Sequence, residues 1–227
     1  MTGVSNQVEI YLEIGSKRTF AGALDWPGWC RSGRDEDSAL QALLEAGPRY
    51  GRVLSRSRLG FNAPKDVSAL PVVERLKGNV TTDFGAPAMT PAHDDRPVTD
   101  ADLKRLQSIL RACWRALDAA VEKARGRSLR TGPRGGGRDL DKILDHVRGA
   151  ETGYLSSLGG KVPSTANDPA STEEIHRAIL DTLAASARGE IAAVGPRGGK
   201  RWLPRYFVRR EAWHVLDHVW EIEDRLK

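Results

Sequence analysis

Cysteine is scarce: Cys30 and Cys113 are the only two in 227 residues. They fall in stretches of different pattern, so the sequence supports neither a disulfide framework nor a thiolate zinc site. Long apolar runs are missing as well. None approaches the roughly 20 residues that a helix needs to cross a bilayer, and the opening Met1-Thr2-Gly3-Val4-Ser5-Asn6-Gln7 has neither a basic n-region nor an apolar h-region. These absences argue against a membrane partner and predict a cytoplasmic protein. Nucleic-acid signatures are missing too: no helix-turn-helix, zinc-finger or RNA-recognition pattern is present. The net charge is +5 and the sequence pI near 9.4, but 35 basic residues are scattered among 30 acids. That excess reads as a mixed, solvated surface and not as a nucleic-acid footprint.

What is present divides the chain, which is long enough for one large or two small domains. Val8, Ile10, Leu12 and Ile14 alternate with Gln7, Glu9, Tyr11 and Glu13, the period of a half-buried strand. A Gly15-Ser16-Lys17 turn leads to Phe20–Leu24, its expected hairpin partner. The Trp26-Pro27-Gly28-Trp29 corner breaks that strand. A helix begins near Asp35 with Ala39, Leu40, Leu43 and Leu44 inward; Pro48 is expected to interrupt it before a second helical piece over 50–58. A further strand is expected over 70–76. Residues 78–98 lose periodicity and gain Gly, Pro and Thr, as a linker would, and His93 within it is expected to be solvated.

The run from Phe20 to Leu40, with its strand, Pro27-Gly28 corner, Gly33-Arg34-Asp35 turn and Ala39-Leu40 helix, resembles the core of HicB-like domains. The resemblance covers roughly residues 7–60 and implies a small α+β accessory unit over 1–77.

Four helical patterns follow, over 99–227. Thr99-Asp100-Ala101-Asp102 opens the first, with Leu103, Leu106, Leu110, Cys113, Trp114, Leu117, Val121 and Ala124 on one stripe. The second runs from about Arg138 to Leu158, and the third from a Ser171-Thr172-Glu173-Glu174 capping box to Arg188. The fourth runs from about Pro204 to Lys227. Four amphipathic helices without strands between them predict an up-and-down four-helix bundle, so the whole chain is α+β.

Histidine is also sparse, with five in the chain, and three sit where chemistry can use them. His214 and His218 are four residues apart, one turn on a common helix face. That face lies between two apolar stripes, one holding Val208, Val215, Val219 and Ile222, the other Tyr206, Trp213, Leu216 and Trp220. His146 lies well inside the second helix. If the second and fourth helices run the same way, all three imidazoles meet at one depth and form a site for a divalent metal. Glu221 is the candidate catalytic group on that face, either orienting an imidazole or acting as general base. Gly149, Ala150 and Gly153 leave room beside His146. His176, one residue after the core Ile175, is expected to be partly exposed. Two Gly-Pro-Arg-Gly-Gly loops, at 132–136 and 195–199, precede the two histidine-bearing helices. They read either as connectors or as holders of an anionic ligand through Arg134 and Arg197.

The helical histidine together with Arg209-Arg210-Glu211-Ala212-Trp213-His214 and Asp217-His218-Val219-Trp220-Glu221 resembles the DinB-like family over residues 100–227. The resemblance implies His146, His214 and His218 as ligands of zinc or nickel, and a homodimer. It also implies, as in some members, a low-molecular-weight thiol that a transferase passes to an electrophilic small molecule. The alternative is a metal-binding or partner-binding module without turnover, in which the HicB-like domain is the recognition element.

Overall fold

The computed structural model describes residues 7–131, 137–162 and 172–226. The chain is mixed α+β and forms two compact units, Met1–Arg96 and Pro97–Lys227. No helix among the described residues is long and apolar enough to cross a membrane.

The first unit is a four-stranded sheet with a long helix. Strands β1 (Ile10–Ile14), β2 (Thr19–Ala23), β3 (Cys30–Gly33) and β4 (Val72–Lys77) lie in the order β3-β2-β1-β4. The β1–β2 and β2–β3 pairs are antiparallel, and β4 runs parallel to β1. β3 was not anticipated from the sequence. Gly28, at φ 93°, turns the chain at the Trp26–Trp29 corner and lets the next residues return alongside β2 instead of leading straight into a helix.

Helix α1 (Glu36–Leu54) begins at an Asp35–Ser38 capping box and passes through Pro48 without a break, contrary to the expected interruption. Gly47 precedes the proline and has no side chain to clash with its ring. A Cβ at Gly47 would lie 3.2 Å from that of Ala63 and 3.4 Å from the Trp29 ring. Beyond the proline, Tyr50 and Leu54 are buried, and the Tyr50 hydroxyl donates to the Pro27 carbonyl at 2.8 Å. Packing thus holds the second half of the helix on the sheet and outweighs the missing backbone hydrogen bond. Trp29, Tyr50 and Phe61 form the aromatic centre, and Trp29 Nε1 donates to the Leu43 carbonyl at 2.8 Å.

The segment expected to be a linker belongs largely to this unit. A short helix α2 (Val80–Phe84) is capped by Asn79, and a 3-10 turn covers Ala92–Asp95. The reason is Glu13 on β1, which is fully buried and accepts from the Ala88 and Met89 amides at 2.9 and 3.0 Å, and from the Thr82 hydroxyl. His93 is also not solvated. Its ring is 7% exposed, with Nε2 2.9 Å from Asp25 and Nδ1 3.5 Å from Asp94. Glu13→Ala is expected to leave two amides unpaired at a cost of about 1–3 kcal/mol. Hydrogen exchange at residues 82–89 should then accelerate well ahead of exchange in α1; equal acceleration throughout the unit would contradict this local role.

The second unit consists of α3 (Asp100–Ala124), α4 (Leu140–Leu158), α5 (Thr172–Ala187) and α6 (Pro204–Arg225). Its helices are not arranged up-and-down. Arg205 at the start of α6 pairs with Asp102 at the start of α3 at 2.7 Å, so α3 and α6 are parallel. Trp202 donates its amide to Ser157 near the end of α4, and Arg225 reaches the Arg138 carbonyl just before α4 begins, so α4 and α6 are antiparallel. Gln107 on α3 donates to Leu180 on α5 at 3.4 Å, and Trp114 stacks on His176, so α5 runs against α3. The order is therefore up-down-down-up, with α6 packed between α3 and α4. The sequence pattern could not distinguish these arrangements, because helix direction depends on the connections and not on the apolar period.

α6 is the central helix. Fourteen of its 22 residues are buried, which is why its sequence carries two apolar stripes instead of one. His214, His218 and Glu211 lie between those stripes and are buried with them.

Candidate metal centre

The antiparallel arrangement, and not the parallel one expected from the sequence, brings the histidines level. His146 lies six residues after the start of α4, and His218 seven before the end of α6. The Nε2 atoms of His146 and His214 are 3.2 Å apart. One ligand nitrogen from each of His146, His214 and His218 can be chosen so that all lie within 4.8 Å of one another. The ring centroids form a near-equilateral triangle with sides of 5.0, 5.0 and 4.7 Å, and interplanar angles of 60–80°. Two nitrogens bound tetrahedrally to zinc at about 2.0–2.1 Å would be about 3.3 Å apart, so the His146–His214 separation is already that of a chelating pair.

The rings of His146 and His214 are held in a metal-competent state. Burial, followed by the neighbouring imidazoles, pushes His214 down to about 2, and burial likewise lowers His146. Neutral imidazoles are the ligand form. His218 Nδ1–H donates to Glu221 Oε2 at 2.8 Å, which leaves Nε2 as the ligand atom. That hydrogen bond is also the main reason the Glu221 carboxyl lies below its ordinary range. The other Glu221 oxygen accepts from Arg225 at 2.5 Å. Arg225 in turn donates to the Arg130 and Arg138 carbonyls at 2.8 and 2.9 Å. Of the two roles expected for Glu221, these bonds supply the orienting one. The residues therefore fit a divalent ion in donor type and outer support, and burial favours the neutral form of His146 and His214. Glu221→Ala is expected to weaken metal affinity about 10–100-fold while saturated protein still takes up the ion. A competitive chelator titration measures this, and an unchanged affinity would remove the orienting role.

The approach to the centre lies beside α4. His146 is the most open of the three histidines. At Gly149 and Gly153 a Cβ would meet nothing within 4 Å, so the helix surface next to His146 is uncovered, as the small residues suggested.

No family model, curated protein or solved structure matches the chain.

Of the two loop arginines, Arg197 is not brought to the centre. Arg197 is exposed and lies before α6, whose start is about 15 Å from His214 at 1.5 Å per residue. Arg134 lies outside the described residues. Because α4 and α6 are antiparallel, they begin at opposite ends of the bundle, so the repeated Gly-Pro-Arg-Gly-Gly sequence does not mark a shared end.

Sequence reasoning missed a second polar cluster. Glu151 on α4 and Glu211 on α6 are both buried, and Glu151 Oε1 lies 3.0 Å from His176 Nε2. The His176 ring lies flat on Trp114 with centroids 3.8 Å apart. Desolvation pushes Glu151 up to about 7 and His176 down to about 4. Desolvation and then the Glu151 charge push Glu211 well above the carboxylate range. Neither Glu211 oxygen makes a hydrogen bond of ordinary geometry. Cavities of about 450 and 470 Å³ adjoin His176, one lined by Trp114 and Leu180 and the other by Val147 and Glu151. The signal was available in Glu211, which occupies the same inward ladder as His214 and His218.

Proposed function

We propose that the second unit is a DinB-like bundle that binds a divalent ion, zinc or nickel, on His146, His214 and His218. In this reading it acts on a low-molecular-weight thiol and an electrophilic small molecule as a thiol S-transferase. The observation that carries the reading is the convergence of three imidazoles, each from a helix and one fixed by a carboxylate. An ion so held supplies Lewis acidity, lowering the pKa of a thiol or water at the position three ligands leave open.

This chain's own residues supply the rest. Glu221 sets the tautomer of His218, and Arg225 holds the other Glu221 oxygen and ties both to the loop ends at Arg130 and Arg138. The uncovered surface at Gly149 and Gly153 leaves room for a substrate beside His146. The test is thiol consumption by the zinc- or nickel-loaded protein against a panel of electrophiles. His218→Ala should abolish turnover while helicity survives; unchanged turnover would remove the reading.

A second reading, a partner-binding module without turnover, is favoured by one feature of the first, HicB-like unit. Val80 and Phe84, one turn apart on α2, are 85% and 90% exposed. Such a pair suits a protein contact. It predicts no thiol consumption with any electrophile, and loss of partner capture on Val80→Asp/Phe84→Asp substitution.

A further inference from the structure

We propose that the groove between α3, α4 and α5 is a second binding site, for a primary alkylammonium ion, with Glu151 as the group that receives it. The proposal goes beyond the metal reading and does not depend on it. Two cavities, of about 450 and 470 Å³, share Asp118, Glu173 and His176 in their linings and so form two lobes of one groove. The His176 ring, stacked on Trp114 at 3.8 Å, belongs to both. Asp118 lies one turn beyond Trp114 on α3, and Glu173 one turn before His176 on α5. The antiparallel helices therefore bring both carboxyls to the same side of that stack. Neither makes a side-chain hydrogen bond or ion pair among the described residues.

On that side the groove is acidic and apolar. Leu117, Val121, Leu144 and Val147 form its wall, and Glu151, with a side chain only 2% exposed, forms its floor. Glu151 Oε1 lies 3.0 Å from His176 Nε2. Its other polar neighbours, Trp114 Nε1 and both Glu211 oxygens, are buried without a hydrogen bond of ordinary geometry, so none of them satisfies Oε2. Two carboxyls buried together call for a cation or a proton. Arg148 is the one arginine or lysine among the described residues lining this lobe, and it is shared with Asp145 at 3.6 Å. His176, lowered to about 4 by burial, is neutral near pH 7. Three acids thus stand against one matched arginine. The other lobe carries Arg111, Arg115 and Arg177, which confines a cation to the Glu151 side. An ammonium group offers three N–H donors and no acceptor, which suits Glu151 at the floor with Asp118 and Glu173 at the rim. The apolar wall receives an alkyl chain. A bare metal ion does not fit, because the histidine cluster is the one group with metal-ligand spacing among the described residues.

The test is calorimetric titration of the full chain in chelator at pH 8 with n-hexylamine, n-hexanol and hexanoate. Hexylamine should bind wild type at least tenfold more tightly than either of the others. Glu151→Gln should erase that preference, while His218→Ala should keep it. In NMR spectra hexylamine should shift the His176 ring signals and leave those of His146, His214 and His218 in place. If Glu151→Gln does not fold, the exposed double variant Asp118→Asn/Glu173→Gln decides, with a severalfold loss of hexylamine affinity expected. No saturable binding of hexylamine, equal or tighter binding of hexanol or hexanoate, or a preference that survives in the folded variant would overturn the proposal. So would shifts at the three clustered histidines in place of His176.

Discussion

His218→Ala protein is expected to lose the stabilisation that a divalent ion gives the wild type, in addition to the packing and hydrogen-bond loss it shows without metal. An ion that binds only the folded state contributes RT ln(1 + [L]/Kd), about 4 kcal/mol at a thousandfold excess over Kd. For a unit of this size that corresponds to roughly 10 °C or more in melting temperature. The substitution removes one of three convergent nitrogens, and His146 and His214 alone offer a two-ligand site. The loss should therefore be larger when zinc or nickel is present. If the histidines were simply core residues, His218→Ala would lower the melting temperature equally with and without metal, because the loss would come from packing. Paired thermal scans in zinc and in chelator separate the two accounts.

The second large effect concerns pH. Glu151 and Glu211 are carboxyls whose folded-state pKa values are raised by burial, Glu151 to about 7. A raised carboxyl binds more protons in the folded than in the unfolded state, so stability falls as pH rises from the ordinary carboxyl value through the folded one. For Glu151 the window is pH 4.5 to 7, and its full effect is roughly 3 kcal/mol. His176, lowered to about 4, acts in the opposite sense, its contribution being lost as pH falls from 6.5 to 4. The two oppose each other between pH 4.5 and 6.5, and above pH 6.5 only the carboxyls act. Wild-type stability in chelator is therefore expected to decline from about pH 6.5 into the alkaline range. Glu211→Gln, which cannot ionise and removes the neighbouring charge from Glu151, should decline less and exceed wild type at pH 8.5. Parallel denaturant curves for the two proteins from pH 5 to 9 would contradict the buried-pair account.

The histidine cluster was legible because α6 is unusual in its pattern. His214, His218 and Glu211 sit between two apolar stripes, and a polar row so placed faces inward whatever the bundle topology. His146 was legible by its place inside an amphipathic helix. What was not legible was why these residues meet. The depth match arises from antiparallel α4 and α6, whereas matching the two Gly-Pro-Arg-Gly-Gly loops favoured a parallel pair. A local repeat carries no information about which end of a bundle it occupies. The same limit explains Arg197, which follows its loop sequence and not the site.

In the first unit the alternation of Val8 to Ile14 located β1, but β3 and the packed 78–96 segment escaped because their order depends on distant partners. β3 needs β2 as its neighbour, and Ala88 and Met89 need Glu13, 75 and 76 residues away. Pro48 misled for a related reason: its local effect on α1 is outweighed by the burial of Tyr50 and Leu54 against the sheet.

The central claim is that His146, His214 and His218 form one metal site. Elemental analysis of the purified protein beside His146→Ala and His214→Ala, after reconstitution with zinc or nickel and with circular dichroism to confirm helicity, tests it most directly. The account predicts about one divalent ion per chain in the wild type and loss of that ion in both variants. No bound metal in the reconstituted wild type, or full metal in either variant, would contradict it.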